Sequence, residues 1–109
     1  MPPPPNLGEF EQIVLLALLR LGDAAYGMAV RREIEFRTGR NVAIGAVYAT
    51  LDRMEKKALV KSSVGDPTPE RGGRAKRSFR LTALGSASLK RSQRALKQMT
   101  RGLAPELIS

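Results

Sequence analysis

A mainly α-helical domain with one small β-hairpin is the fold class this sequence predicts, arranged as a winged helix-turn-helix followed by a C-terminal dimerisation helix. Three observations predict it. Apolar residues recur at helical spacing in four segments, two short extended runs follow the third segment with alternation in the second, and a Pro- and Gly-rich stretch separates those runs. At 109 residues the chain has the length of one domain.

Pro2 to Pro5 form a polyproline lead that cannot enter a helix interior, so residues 1–6 are expected to be a disordered tail. Asn6 with Glu9 three residues on reads as an N-cap with its reciprocal acid. A first helix then starts at Leu7, runs through Phe10, Ile13, Val14, Leu16 and Leu19, and stops at Gly22. After Ile13 apolar residues surround nearly its whole circumference, so it needs cover on more than one side, from its own domain or a second subunit. Asp23 is placed to cap a second helix over Ala25 to Phe36, with Tyr26, Met28, Ala29, Val30, Ile34 and Phe36 supplying its buried positions and Gly39 ending it.

Asn41 to Ala58 reads as the third helix, joined to the second by a few residues as in a compact helix-turn-helix. Ile44, Val47, Leu51, Met54 and Ala58 form its buried stripe. Gly45, Ala46 and Ala49 on the other side are small, and Thr50, Asp52, Arg53, Lys56 and Lys57 lie on or beside the exposed arc. A helix with little bulk in its first two turns brings its backbone close to a large partner, and later cations suit an anionic one, as in a recognition helix for the DNA major groove. An ordinary amphipathic helix with a solvated polar face has the same periodicity, so the segment gains its weight from the two extended runs after it.

Leu59 to Val64 and Lys76 to Thr82 are short extended runs, and in the second Phe79 and Leu81 alternate with Ser78 and Arg80. Between them, Gly65 to Ala75 has the Pro and Gly content of a long hairpin loop. This wing, Val64 to Arg77, carries Arg71, Arg74, Lys76 and Arg77 around Gly72 and Gly73. Glycines allow close approach, while arginines fork onto phosphates or enter the minor groove. Residues 7–82 thus form the expected DNA-binding domain.

Thr82 can cap a last helix from Ala83 to about Arg101. Leu89, Leu96, Met99 and Leu103 fall near three- and four-residue steps, with Ser92 in the missing place, a seam of about two heptads flanked by Lys90, Arg91, Arg94 and Lys97. Such a helix folds back over the first helix, pairs with a second copy, or does both in a dimer. The expected dimer interface therefore comprises Phe10, Ile13, Leu89, Leu96, Met99 and Leu103, and residues 83–109 form the dimerisation helix and tail.

Composition limits the functions open to this chain. A hydrophobic content of 42% supports a packed core, and 5% aromatic residues with no Trp make that core chiefly aliphatic. The absence of His and Cys removes the commonest general base, the thiolate nucleophile and most transition-metal ligands, so neither an enzyme nor a cofactor is expected. The carboxylates Glu9, Glu33, Glu35 and Glu55 sit in helical charge patterns typical of solvated faces. The formal charge is +9, from 19 Lys and Arg against 10 Asp and Glu, which calls for an anionic partner such as nucleic acid or an acidic membrane face. The longest apolar run, Ile13 to Leu19, is too short to span a bilayer and no cationic leader precedes it, so a cytoplasmic location is expected.

The motifs together resemble the PadR family of transcriptional regulators. The matching runs are Leu7-Gly-Glu-Phe-Glu, Ala25-Tyr-Gly-Met-Ala-Val, Ile44-Gly-Ala-Val-Tyr-Ala-Thr-Leu-Asp-Arg-Met, Arg71-Gly-Gly-Arg-Ala-Lys-Arg and Phe79-Arg-Leu-Thr-Ala-Leu-Gly. The resemblance implies a homodimeric winged-helix repressor controlled by a small-molecule or stress signal, with its recognition helix over Ile44 to Lys57 and its dimerisation segment from Ala83 onward. Ala43 stands where many members place Ser or Pro, which leaves the start of the recognition helix without a side-chain cap. A single C-terminal helix in place of a larger helical domain, and no Trp to stack a flat drug, weigh against an internal effector pocket.

On this reading Lys56, Lys57, Arg71, Arg74, Lys76 and Arg77 neutralise phosphates, while Gly45, Ala46, Tyr48, Ala49 and Arg53 lie at the groove. Tyr48 sits at the edge of the buried stripe, where it can pack its ring and offer only its hydroxyl. Two copies with helices about 34–36 Å apart predict a palindromic operator. The alternative is an RNA-binding module using the Arg-Gly-Gly-Arg loop, which the scarcity of aromatics for base stacking disfavours. A membrane-surface role for the last helix has no aromatic anchors.

Overall fold

The computed structural model describes residues 3–65 and 76–107. It contains α1 (Glu9–Leu21), α2 (Gly27–Thr38), α3 (Ile44–Lys56), β1 (Val60–Val64), β2 (Arg77–Leu81) and α4 (Ala83–Thr100), with short 3₁₀ turns at Gly22–Ala24 and Pro105–Leu107. The strands pair antiparallel, Val60 opposite Leu81 and Val64 opposite Arg77. This is the expected mainly helical, winged arrangement, with a long helix after the hairpin.

One core joins every element. Val14, Leu15 and Leu18 of α1 meet Val30 and Ile34 of α2, Val47, Leu51 and Met54 of α3, Phe79 of β2 and Leu89 of α4. Removing this aliphatic surface from water is the main drive for folding. Gly39 closes α2 in the left-handed region at φ 73°, its amide donating to the Glu35 carbonyl at 2.9 Å, as its position after the apolar stripe predicts.

The starts of α1 and α2 differ from expectation. α1 begins at Glu9, not Leu7, with Gly8 as its N-cap and the Glu11 carboxylate accepting from the Gly8 amide at 2.9 Å. Asn6 and Glu9 have other partners: Asn6 Oδ1 accepts from Arg91 Nε at 3.2 Å, and Glu9 pairs with Arg40 at 2.8 Å. The reason is tertiary, because the Leu7 amide donates to Ser92 Oγ of α4 at 2.8 Å while its side chain is buried. α2 begins at Gly27 rather than Ala25, and Asp23 lies in the preceding turn without capping it. Ala25 and Tyr26 serve the hairpin instead: the Phe79 amide donates to the Ala25 carbonyl at 3.0 Å, and Tyr26 bridges to Ser78. The buried face of α2 is Gly27, Val30 and Ile34, and Phe36, an expected core residue, is 81% exposed. Met28 is exposed as well.

α3 is also shorter than the span Asn41 to Ala58. Residues 41–43 lie outside the helix, with Ala43 extended and the Val42 carbonyl accepting from Arg31 Nε at 2.8 Å. At the other end Ala58 takes φ 63°, its amide donating to the Glu55 carbonyl and that of Leu59 to Met54, so the helix is closed by a left-handed alanine. Ala58 is therefore outside the buried stripe, while Thr50, expected on the exposed arc, is buried.

Thr82 caps α4 as expected, its hydroxyl oxygen accepting from the Gly85 amide at 3.0 Å. The same hydroxyl donates to the Ala58 carbonyl at 2.6 Å, and the Thr82 amide donates to the Leu59 carbonyl at 3.0 Å. A Cβ on Gly85 would collide with that Leu59 carbonyl, so only glycine allows α4 to start so close to the end of α3.

Candidate nucleic-acid interface

Burial on α3 is one-sided. Val47, Thr50, Leu51 and Met54 face the core, while Gly45, Ala46, Ala49, Asp52, Arg53, Lys56 and Lys57 are exposed. Helical spacing aligns Gly45, Ala49, Asp52 and Lys56 along the middle of the open face, so it carries no bulk for two turns. No side chain caps the first turn at Ala43. A close-approach surface that turns polar and cationic only in its third turn is the result.

Tyr48 resolves its ambiguity through Gly27. A Cβ on Gly27 would strike the Tyr48 ring and hydroxyl, so the tip of the tyrosine packs against the start of α2 and the residue is left 37% exposed. It closes one side of a cleft of about 540 Å³ lined by Tyr26, Met28, Ala29, Arg32, Tyr48, Lys76 and Arg77. Lys76 Nζ stands 4.4 Å from the centre of the Tyr26 ring, a cation–π contact that fixes it at the mouth. Arg32, Gly27 and Tyr26 are not among the interface residues that the sequence singles out. The first gives no signal beyond a helical cation, and Gly27 gives only its place next to a tyrosine.

Arg77, expected to meet phosphate, is placed against α3. Its guanidinium reaches from β2 to two carboxylates of α3, at 3.1 Å from Asp52 and 2.5 Å from Glu55, and stands 4.8 Å from the Phe79 ring centre. Glu55 also accepts from the Ser62 hydroxyl at 2.6 Å and the Ser62 amide at 3.0 Å. The Ser62 hydroxyl and amide hold the Glu55 carboxyl below its ordinary value against a smaller opposing effect of burial, with each contribution of Arg77 smaller again. The charge of Arg77 is balanced within the chain, and it braces the hairpin base against α3.

Arg53 and Lys57 likewise lean away from the middle of the open face, toward Glu11 of α1 at 3.7 and 3.8 Å. Among the described residues Lys56 has no carboxylate partner. Arg71, Gly72, Gly73 and Arg74 of the wing lie outside the described residues.

The apolar candidates divide. Phe10 and Ile13 are half-buried on α1, and Leu96 (59% exposed), Met99 (78%) and Leu103 are open on or beyond the second half of α4. Leu7, Ile13, Leu16 and Leu96 line a groove of about 500 Å³ between the two helices. Leu89, expected at a dimer seam, belongs to its own subunit's core at 6% exposure, because the first half of α4 packs on α1 and β2.

No helix of the described residues is long and apolar enough to cross a membrane. A model of the transcriptional regulator PadR-like family matches residues 15–91. "Uncharacterized protein X" of Lysinibacillus sphaericus is 33% identical over 84 residues, which is 75% of this chain and 72% of that protein. The PadR-like transcriptional regulator of Bacillus cereus has a similar structure, with a TM-score of 0.71 at 17% identity over 92% of each chain. A PadR family transcription regulator of Clostridium difficile reaches 29% identity and a TM-score of 0.63, over 84% of this chain and 94% of its own.

Proposed function

The chain belongs to the transcriptional regulator PadR-like family, and on that premise we propose that it is a homodimeric repressor that binds a palindromic operator in double-stranded DNA. The family is one of transcriptional regulators and not of enzymes. The observation that carries the reading is the open face of α3, whose Gly45, Ala46 and Ala49 leave room for the edges of base pairs while Arg77 braces the hairpin beside it.

In this mechanism α3 enters the major groove with Gly45, Ala46 and Ala49 foremost. Lys56, Lys76 and the wing residues Arg71 and Arg74 neutralise phosphates, with Gly72 and Gly73 letting the wing turn close to the backbone. Tyr48 contributes its hydroxyl, and Arg53 and Lys57 join the contact by exchanging Glu11 for phosphate. Residues 7–82 make the DNA-binding unit. The second half of α4 pairs two copies, with Leu96, Met99 and Leu103 of each covering the Phe10 and Ile13 surface of the other. Occupation of promoter DNA in the cytoplasm blocks transcription, and a small-molecule or stress signal relieves it.

Selection of bound sequences from random duplex DNA tests the proposal. Two inverted half-sites, spaced by about 34–36 Å or a multiple of it, are expected. Recovery of no enriched sequence would overturn the operator reading.

A further inference from the structure

The surplus positive charge of this protein is concentrated away from the recognition helix. Residues 44–57 carry Arg53, Lys56 and Lys57 against Asp52 and Glu55, a net of one. Residues 83–101 carry Lys90, Arg91, Arg94, Lys97 and Arg101 and no acid, so five of the nine net charges are on α4 and its C-cap. All five are exposed, and among the described residues none pairs with a carboxylate.

Their positions form a surface. Lys90, Arg94, Lys97 and Arg101 succeed one another by four, three and four residues, which stacks them along one stripe over about 16 Å of helix. Gly85, Ser88, Leu89 and Ser92, the residues that α4 buries, lie on the opposite side, and Leu96 and Met99 continue that opposite side. The stripe thus stays open whether or not a second copy covers the seam. Arg91 flanks it, held by Asn6, and with Arg94 and Gln98 lines a shallow depression of about 290 Å³.

The helix dipole accounts for cations in the last turn, Lys97 and Arg101, but not for Lys90 and Arg94 further back. Like charges four residues apart destabilise a helix, so the bare stripe opposes its own structure until an anion neutralises it. Duplex DNA offers a phosphate roughly every 1.7 Å of axis and suits a straight row of cations. An anionic membrane is a poorer match, since this face has no aromatic or apolar side chain among its cations to enter the interface.

We infer that the Lys90, Arg94, Lys97 and Arg101 face of α4 is a second, sequence-independent contact for the DNA backbone. The choice of DNA over another polyanion rests on the operator reading. α4 packs on α1 and β2, so this surface is built apart from the open face of α3.

The test uses the full chain and a scrambled 40-base-pair duplex over a salt series. A variant with Lys90→Gln, Arg94→Gln, Lys97→Gln and Arg101→Gln should lose about tenfold in affinity at low salt, and its slope of log affinity against log salt should fall by about 3 to 4. A charge-preserving variant, Arg94→Lys with Arg101→Lys, should bind as the parent does, which separates charge from folding. An unchanged slope in the glutamine variant would overturn the inference, as would binding to phosphatidylserine vesicles but not to scrambled duplex. Failure to enrich a sequence in the random-duplex selection would sink the operator reading alone, because the scrambled-duplex slope is read independently.

Discussion

Arg77 of β2 and Glu55 of α3 form an ion pair at 2.5 Å, and this contact ties the base of the hairpin to α3. Because Glu55 is held below its ordinary range first by Ser62 and then by Arg77, its contribution to stability is present above the unfolded-state value and lost as pH falls through the folded-state one. Glu55→Gln should therefore flatten the acid side of the stability profile. Urea unfolding at a series of acidic pH values checks this, and a profile as steep as the parent's would refute it.

Gly27 and Tyr48 are coupled by contact. Gly27→Ala should cost about 1–3 kcal/mol by displacing the Tyr48 ring, although alanine is the better helix former. Tyr48→Ala in the same chain should recover part of that loss, giving an interaction energy above about 0.5 kcal/mol in a double-mutant cycle. Strict additivity would mean that the two residues do not touch.

Ala58 occupies the left-handed region at φ 63°, where an L side chain is strained. Ala58→Gly should raise stability by up to about 1 kcal/mol, read as a higher denaturation midpoint with an unchanged slope. A lower midpoint would show that the alanine is relaxed there.

Leu96 is open in the single subunit, so Leu96→Glu should leave its stability within about 0.5 kcal/mol while converting dimers to monomers in light scattering. A dimer that survives the change would move the interface away from α4.

Local chemistry made much of the fold legible. Thr82 ahead of an apolar run, Gly39 after one, and the alternation around Phe79 each act within a few residues, and each does in the structure what its type suggests. The small residues of α3 were legible for the same reason, since a helical projection alone exposes Gly45, Ala46 and Ala49. What the chain hid is non-local. Leu7 gives its amide to Ser92, 85 residues on, which moves the start of α1; Phe79 takes the Ala25 carbonyl, which delays α2. Arg77 reads as a free wing cation until Asp52, 25 residues earlier, is seen beside it. Leu89 fits a heptad seam, yet a periodic pattern does not say which body fills it.

The joint among Thr82, Gly85, Ala58 and Leu59 has a mechanical meaning. It fastens the origin of the long helix to the tail of α3 through the Thr82 hydroxyl and amide and the close approach of Gly85 to Leu59. In a pair assembled through α4, the pitch of each reading head would then be inherited from the direction of its own shaft. In the proposed twofold pair a tilt of a few degrees would move the two heads in opposite directions, so whatever re-angles the pair would set the half-site spacing it fits without touching a base-facing side chain.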